Sequence, residues 1–209
     1  VYVNSMLRNV PSNGYFAANY NDSGVATSEI KRVSLGGGPA VVLASAPQYI
    51  GLQDFLTDGA RLFWADRYGL RSMSIEGGAI QTLVAFPDMA PSQLALGGNS
   101  LYFSFGNEIR RISKIGGASV ILATAPEVIT DLYVYAPQGM PPELYWGEAN
   151  GGVRCLDAWG FQRTFQDSMN DRQISAVGFD GTRVLWIDCE KEGFTCVVKA
   201  KQGAAEAVQ

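Results

Sequence analysis

The sequence predicts an all-β fold made of repeated units, and three observations support this prediction. Apolar, mostly aromatic pairs recur along the chain, and their second members lie 48, 39, 43 and 40 residues apart. The segments around the pairs alternate apolar and polar residues and are interrupted by glycines, which excludes a helical repeat. Each repeat of about 43 residues holds four short strands, the content of one propeller blade. The sequence therefore predicts a β-propeller of about five four-stranded blades. The second members of the pairs are Phe16, Trp64, Phe103, Trp146 and Trp186.

The segment 101–117 shows the repeat most clearly, because it is typical of a β-hairpin. Two alternating runs flank Gly106-Asn107, and Gly116-Gly117 ends the second run. A short apolar run after this glycine and a further strand before the next pair complete the four strands. We expect the aromatic pairs to fill the space between stacked blades rather than to form a cofactor site. In every repeat a glycine lies seven residues after the start of the strand that follows the pair: Gly37, Gly77, Gly116, Gly160 and Gly203.

Residues 1–209 are predicted to form one domain, with blades at about 1–46, 47–88, 89–128, 129–170 and 171–209. Each repeat has its own four strands, from Val1–Val3 at one end to Ala204–Gln209 at the other. No segment is left over to close the ring, although open sheet edges invite association. Three alternatives remain: five blades close by face-to-face packing, a sixth blade lies outside this chain, or a partner chain or second copy covers the open edge.

Three segments resemble the YWTD-type β-propeller repeats of low-density-lipoprotein-receptor-like proteins and of bacterial secreted proteins. They are Leu62–Asp66 (LFWAD), Leu144–Glu148 (LYWGE) and Val184–Asp188 (VLWID), each followed by a strand and a turn glycine. None spells the full motif, and that family usually closes with six blades. The resemblance covers essentially the whole chain. It implies a mainly non-catalytic binding or scaffolding module outside the cytoplasm, and it transfers no ligand site.

Composition excludes several classes of function. The net charge is −4 and charged residues make up 17% of the chain, so no basic surface for nucleic acid is expected. The longest apolar runs are too short to span a membrane. The chain has no histidine, which removes the commonest general base and zinc ligand. Gly36–Gly38 opens a strand rather than a helix, so no phosphate loop and no cofactor are expected.

The sequence favours a secreted chain, extracellular or periplasmic. It opens on Val1 and has no charged segment followed by an apolar run, so a targeting signal is either absent or already removed. A mature secreted protein or an excised fragment fits this pattern. The expected ligand is a protein or a carbohydrate.

The first and fifth repeats carry extended hairpins, and loops on a rigid scaffold often bind ligands. In a closed ring these two blades are neighbours, so their hairpin tips would lie side by side. Both insertions could equally be solvent-exposed loops that bind nothing. Aromatic rings near the hairpin tips could stack on sugars or apolar side chains, or else could cap the blade interfaces. The predicted ligand-binding residues are Tyr20, Asn21, Asp22, Tyr68, Phe105 and Glu190.

Three acids occupy equivalent positions two residues after a tryptophan: Asp66, Glu148 and Asp188. Paired carboxylates of this kind could serve a polysaccharide-acting hydrolase or lyase, or bind calcium. Acids at a hairpin more often hydrogen-bond the turn backbone. We therefore expect no catalytic residue and no metal site.

The last expectation concerns the cysteines. A two-residue turn at Glu192-Gly193 would place Cys189 opposite Cys196, at a separation that a disulfide accepts. A longer turn would shift the register by one residue and send the two side chains to opposite faces. Cys155 is expected to remain a free, buried thiol. A disulfide would fit an extracellular compartment.

Overall fold

The protein is described here by a computed structural model. The model describes residues 2–7, 13–22, 25–46, 51–86, 89–192 and 195–203, and the side chains of these residues except 2–7, 19–22, 25, 26 and 46. The described residues contain strands and turns but no helix, which confirms the all-β prediction. No helix long and apolar enough to cross a membrane occurs among them.

The described residues form nineteen strands, close to the number predicted. The strands are β1 (Tyr2–Leu7), β2 (Asn13–Asp22), β3 (Val25–Ser34), β4 (Val41–Ala46), β5 (Asp54–Thr57), β6 (Arg61–Asp66), β7 (Gly69–Ser74), β8 (Gln81–Ala85), β9 (Leu94–Gly97), β10 (Ser100–Phe105), β11 (Glu108–Ser113), β12 (Val120–Thr124), β13 (Ile129–Tyr135), β14 (Glu143–Glu148), β15 (Val153–Leu156), β16 (Gln162–Gln166), β17 (Arg172–Phe179), β18 (Arg183–Glu190) and β19 (Cys196–Gln202).

Consecutive strands pair into five sheets. The first four sheets hold four strands each, in the orders β1-β2-β3-β4, β5-β6-β7-β8, β12-β11-β10-β9 and β13-β14-β15-β16. The fifth sheet holds β17-β18-β19. A fourth strand was expected over residues 204–209, which lie outside the described part of the chain. Within the described residues, β19 therefore has a strand partner on one side only.

The hairpins have the turns that the sequence indicates. Gly106 in the β10–β11 turn has a φ of +63°, and the turn pairs Phe105 with Glu108. Gly37 and Gly77 after the third strands have φ values of +94° and +96°, which glycine adopts without strain. The first repeat has the predicted long hairpin, since β2 and β3 are ten residues each while β6 and β7 are six.

The chain divides into two compact units. One contains residues 1–94 and 114–118, and the other contains residues 95–113 and 119–209. The prediction of a single domain over 1–209 stays a prediction. In the first unit, Trp64 and Tyr15 are fully buried in one apolar cluster. In the second unit, Trp146 and Tyr102 lie in one cluster, and Tyr145 and Trp186 lie in another. The recurring aromatics are thus core residues, as predicted, except for Phe16, which is half-buried.

Candidate functional site

A cation lies directly across from the recurring aromatic in every sheet. In each sheet, the second strand carries the aromatic residue and pairs with the third strand. The register of this pair places a lysine or an arginine opposite the ring. The five pairs are Phe16–Lys31, Trp64–Arg71, Phe103–Arg110, Trp146–Arg154 and Trp186–Lys199. Because directly opposite residues share one face of a sheet, each cation can lay its apolar stem along the aromatic residue.

The acid two residues after the tryptophan joins this pair, because residues two apart on a strand point to the same face. Trp64 Nε1 donates to Asp66 Oδ2 at 3.1 Å, and Arg71 Nε donates to the same oxygen at 2.9 Å. The other oxygen, Asp66 Oδ1, accepts from the backbone N–H of Tyr68 at 2.8 Å. We call this arrangement the Trp–acid–Arg cluster. The fourth sheet repeats it with Trp146, Glu148 and Arg154, at 3.2 and 2.8 Å.

The fifth sheet uses the same position with more partners. Asp188 accepts from Arg172 Nε at 2.6 Å, from Lys199 Nζ at 2.6 Å and from Gln166 Nε2 at 3.0 Å. The indole of Trp186 donates to Gln166 Oε1 at 3.1 Å instead of to the acid. Burial alone would raise the pKa of Asp188, but hydrogen bonds from Lys199, Arg172 and Gln166 hold it below its usual range.

These contacts give the three acids a structural role. Asp66, Glu148 and Asp188 are each at most 1% exposed and are held by a guanidinium or an ammonium group. A carboxylate in this position is not free to act as a general acid or nucleophile on a polysaccharide. No group of three or more His, Cys, Asp or Glu side chains that could hold a metal ion occurs in the described residues.

Two of the predicted ligand-binding aromatics have a ring face covered by the chain's own arginines. Tyr68 is 38% exposed, but the guanidinium carbons of Arg67 and Arg71 lie 4.6 and 5.6 Å from its ring centroid. Arg110 lies 5.1 Å from the ring centroid of Phe105. These rings therefore have less free face for a ligand than the sequence suggested.

The other predicted ligand-binding residues lie at the end of β2 and at an open cavity. Tyr20, Asn21 and Asp22 form the end of β2, and their side chains lie outside the described part of the structure. Glu190 lines an open cavity of about 490 Å³. It accepts from Arg172 at 3.2 Å. The remaining lining residues of this cavity are Asn170, Asp171, Lys191 and Glu192.

A second cavity, of about 140 Å³, lies between the fourth and fifth sheets, and five of its ten lining residues are aromatic. We call it the aromatic pocket. The rings of Tyr145 and Phe179 are stacked, with centroids 5.0 Å apart, and Tyr135 meets Phe179 edge-on at 4.9 Å. A Cβ atom at Gly203 would lie 2.5 Å from the Phe179 ring, so glycine is required there for the ring to keep its place. The remaining lining residues are Glu143, Cys155, Asp157, Trp159, Arg163, Phe165 and Gly181.

The polar groups of the aromatic pocket carry a net negative charge. Tyr145 Oη donates to Glu143 Oε2 at 2.5 Å, and Arg163 pairs with Asp157 at 3.1 Å. Burial, with smaller contributions from the charges of Glu143 and Asp157, raises the pKa of the Cys155 thiol to about 11. Burial and the hydrogen bond to Glu143 likewise raise the pKa of Tyr145. Cys155 is therefore a neutral, unreactive part of the wall.

Trp159 forms an exposed wall of the pocket, and the sequence analysis missed it. It is 69% exposed, and its neighbour Phe161 is 67% exposed. The backbone N–H groups of both residues donate to Asp157 Oδ1, at 3.0 and 2.9 Å, which fixes the turn between β15 and β16. A signal was present in the sequence, because the residue before the turn glycine is Gly36, Glu76, Ile115 or Gln202 in the other repeats, and none of these is aromatic.

The predicted disulfide is confirmed. Cys189 and Cys196 are directly paired across β18 and β19, with their Cα atoms 4.1 Å apart, and they are bonded. The turn residue Gly193 lies outside the described part of the chain. Cys155 is free and buried, as expected.

No protein-family model matches the chain, and no curated protein sequence matches it. Solved structures do match. The chain is similar to a quinoprotein alcohol dehydrogenase-like protein from Bacteroides thetaiotaomicron, with a TM-score of 0.65 and 12% identity over 96% of this chain and 52% of that one. It is similar to a chain of a mitotic checkpoint complex, with a TM-score of 0.64 and 13% identity over 88% of this chain and 61% of that one.

A third match is the computationally designed Ika8 protein, with a TM-score of 0.64 and 12% identity over 96% of this chain and 70% of that one. The chain spans about half the length of the Bacteroides protein. At these identities the likeness shows the fold alone. The chain has the fold of β-propeller and WD-like proteins, and the matches do not single out the YWTD family.

Proposed function

We propose that this chain is a non-catalytic recognition module of the β-propeller type, which binds a protein or a glycan through the aromatic pocket. This proposal rests on the difference between the three acids, which are buried and ion-paired, and the aromatic pocket, which is accessible. Asp66, Glu148 and Asp188, which could have supported hydrolysis, are buried and held by cations. The pocket, in contrast, combines ring faces with a few polar groups and opens beside the exposed Trp159.

The finer architecture is part of the same proposal. We propose five blades of YWTD type, which close by face-to-face packing or whose last sheet is covered by a sixth blade, a second copy or a partner chain. Support comes from the matching aromatic–cation register in all five sheets. We also propose an extracellular or periplasmic location, which the Cys189–Cys196 disulfide supports because such bonds persist in oxidising compartments.

The residues near the hairpin tips belong to the proposal as well. Tyr20, Asn21, Asp22 and Tyr68 in the first unit, and Phe105 and Glu190 in the second, are proposed as further ligand contacts, each within its own unit. Of these residues, Glu190 has the best support, since it lines the larger open cavity.

The proposed function is tested by a binding screen on glycan arrays and on immobilised extracellular proteins. A ligand found for the wild-type chain should lose most of its binding in the double variant Trp159→Ala, Phe161→Ala, because both exposed rings are removed. Ile115→Ala is the matched control, since Ile115 holds the turn position equivalent to Trp159 and is 75% exposed. Equal binding by wild type and double variant would move the site elsewhere, and polysaccharide turnover lost in Asp188→Asn would overturn the non-catalytic proposal.

A further inference from the structure

Glu143 differs from the acids described above because no cation holds it. In the described part of the chain, Asp66, Glu148, Asp157 and Asp188 each form an ion pair with an arginine, while Glu143 forms none. Glu143 accepts a hydrogen bond from the Tyr145 hydroxyl, a neutral donor. A half-buried carboxylate beside apolar rings loses hydration, and a cation placed against it would offset that loss.

The walls around Glu143 are suited to an organic cation. The pocket that Glu143 lines contains the stacked rings of Tyr145 and Phe179 and the ring of Tyr135, which is edge-on to Phe179. Phe165 also lines the pocket, with its ring centroid 6.2 Å from that of Tyr145. The faces of aromatic rings carry partial negative charge and attract a cation within about 6 Å. The exposed Trp159, the ring type that binds cations best, stands at the opening.

The other charged residues of the pocket do not neutralise Glu143. Arg163 is the cation among the lining residues, and its guanidinium is already paired with Asp157 through both Nε and a terminal nitrogen. The pair leaves the charge of Glu143 uncompensated. The cavity therefore presents one net negative charge within a cage of rings.

The size of the cavity limits the ligand to a head group. A volume of about 140 Å³ is below the range of roughly 300–1,000 Å³ that holds a drug-sized molecule. A primary ammonium carries three N–H donors and needs as many acceptors. The walls offer mainly ring faces and the Glu143–Tyr145 pair, which suits an ammonium whose hydrogens are replaced by methyl groups.

We propose that the aromatic pocket binds a trimethylammonium head group, with Glu143 as the counter-ion and Tyr135, Tyr145 and Trp159 as the aromatic cage. This proposal rests on the proposed recognition function and names the chemical group that is recognised. The same head group occurs in free choline, in phosphatidylcholine membranes and in trimethyl-lysine side chains.

The first test compares choline with 3,3-dimethyl-1-butanol, which has the same shape but no charge. Titration followed by NMR on the wild-type chain should show shifts in the rings of Tyr135 and Tyr145 for both compounds. Choline should bind about tenfold more tightly, because cation–π attraction and the Glu143 charge act on it alone. Equal affinity for the two compounds would overturn the proposal.

The second test uses Glu143→Gln, which keeps a hydrogen-bond acceptor for Tyr145 and removes the charge. Choline affinity should fall about tenfold, while the affinity for the neutral alcohol should stay the same. Glu76→Gln is the matched control, because Glu76 is an exposed acid outside the pocket. A thermal unfolding curve for each variant shows that the fold is intact. An unchanged choline affinity in folded Glu143→Gln would contradict the proposal.

The third test distinguishes the sources of the head group and separates this proposal from the function on which it rests. The probes are free choline, phosphatidylcholine vesicles and a peptide containing trimethyl-lysine, with its unmethylated form as the control. Binding of any of these three that is lost in Trp159→Ala supports the proposal, and the tightest one identifies the source. A ligand from the binding screen could depend on Trp159 while the three trimethylammonium probes bind no better than the neutral alcohol. In that case the recognition function stands and the trimethylammonium proposal fails.

Discussion

At the scale of single residues, one short pattern places charged groups inside an apolar core. A tryptophan and an acid two positions later share a strand face, and the register brings a cation opposite the ring. The indole nitrogens and the carboxylate oxygens of these clusters then have hydrogen-bond partners, apart from Glu148 Oε2, which is buried without one. Where the acid is replaced by Phe105 or Ala18, the cation pairs with a carboxylate on its own strand, Glu108 or Glu29.

Glu148→Gln is predicted to destabilise the protein by about 2–4 kcal/mol, since it leaves the Arg154 charge without its buried partner. The glutamine amide would also point N–H groups at a guanidinium that has no acceptor to offer. Urea unfolding followed by circular dichroism measures the change. Glu76→Gln removes the acid of an exposed ion pair with Arg32 and should change the midpoint little. Equal effects of the two variants would show that the cluster adds no stability.

Asp188 predicts how stability depends on pH. Its folded pKa is lowered, so the group binds protons more weakly when folded than when unfolded. Its contribution is fully present above the unfolded value of about 3.9 and is lost as pH falls below about 4. Urea midpoints measured from pH 7 to pH 2 should therefore fall more steeply for the wild type than for Asp188→Asn. Parallel curves for the two proteins would contradict this assignment.

At the scale of elements, the fourth and fifth sheets pack closely because one strand lacks a side chain. Gly147 in β14 faces Ile174 in β17, and a Cβ atom at Gly147 would lie 2.3 Å from Ile174 Cγ2. The same strand carries Tyr145 and Glu143 into the pocket. The geometry of the pocket therefore depends on how closely these two sheets approach.

Gly147→Ala is predicted to cost about 1–3 kcal/mol of stability, because the added methyl group overpacks the contact with Ile174. It should also weaken ligand binding at the pocket by separating the sheets. Gly178→Ala is a matched control in β17, since a Cβ atom there meets nothing within 4 Å. Thermal unfolding and a choline titration measure both effects. A stability loss as large in Gly178→Ala as in Gly147→Ala would exclude the packing explanation.

The sequence predicted the elements well and the candidate site poorly, for physical reasons. Strand alternation and turn glycines are local, so the hairpins and the pairing of Cys189 with Cys196 followed from spacing. The pocket is lined by side chains from β13 to β17, which come together only because the fourth and fifth sheets pack against each other. The arginines that cover Tyr68 and Phe105 are likewise brought there by strand register, which the positions of the aromatics alone do not reveal.

At the scale of the whole molecule, the described strands of the fifth sheet leave more of their last strand exposed than the other sheets leave of their third strands. The third strands of the second, third and fourth sheets are partly buried, whereas six of the seven residues of β19 are exposed. Val198 is 72% exposed and Val197 is 41% exposed. Within the described residues, the outer edge of β19 has no strand beside it, and such edges pair readily with further strands.

The edge of β19 is predicted to mediate association. Light scattering on the purified chain should show a dimer or a larger species, and Val198→Lys should shift it toward monomer, because a charge on an edge strand opposes pairing. Ile115→Lys is the control, since Ile115 is 75% exposed but lies in the turn after β11 and not on an edge strand. A compact wild-type monomer would contradict the prediction.

The exposure of Trp159 also makes the protein its own optical probe. Of the four tryptophans, Trp64, Trp146 and Trp186 are at most 5% exposed, whereas Trp159 is 69% exposed. Three indoles should therefore emit at short wavelength and resist acrylamide, while the fourth should emit at long wavelength and be quenched. Ligand entry into the aromatic pocket would be read as protection of the quenchable fraction, without any label on the chain.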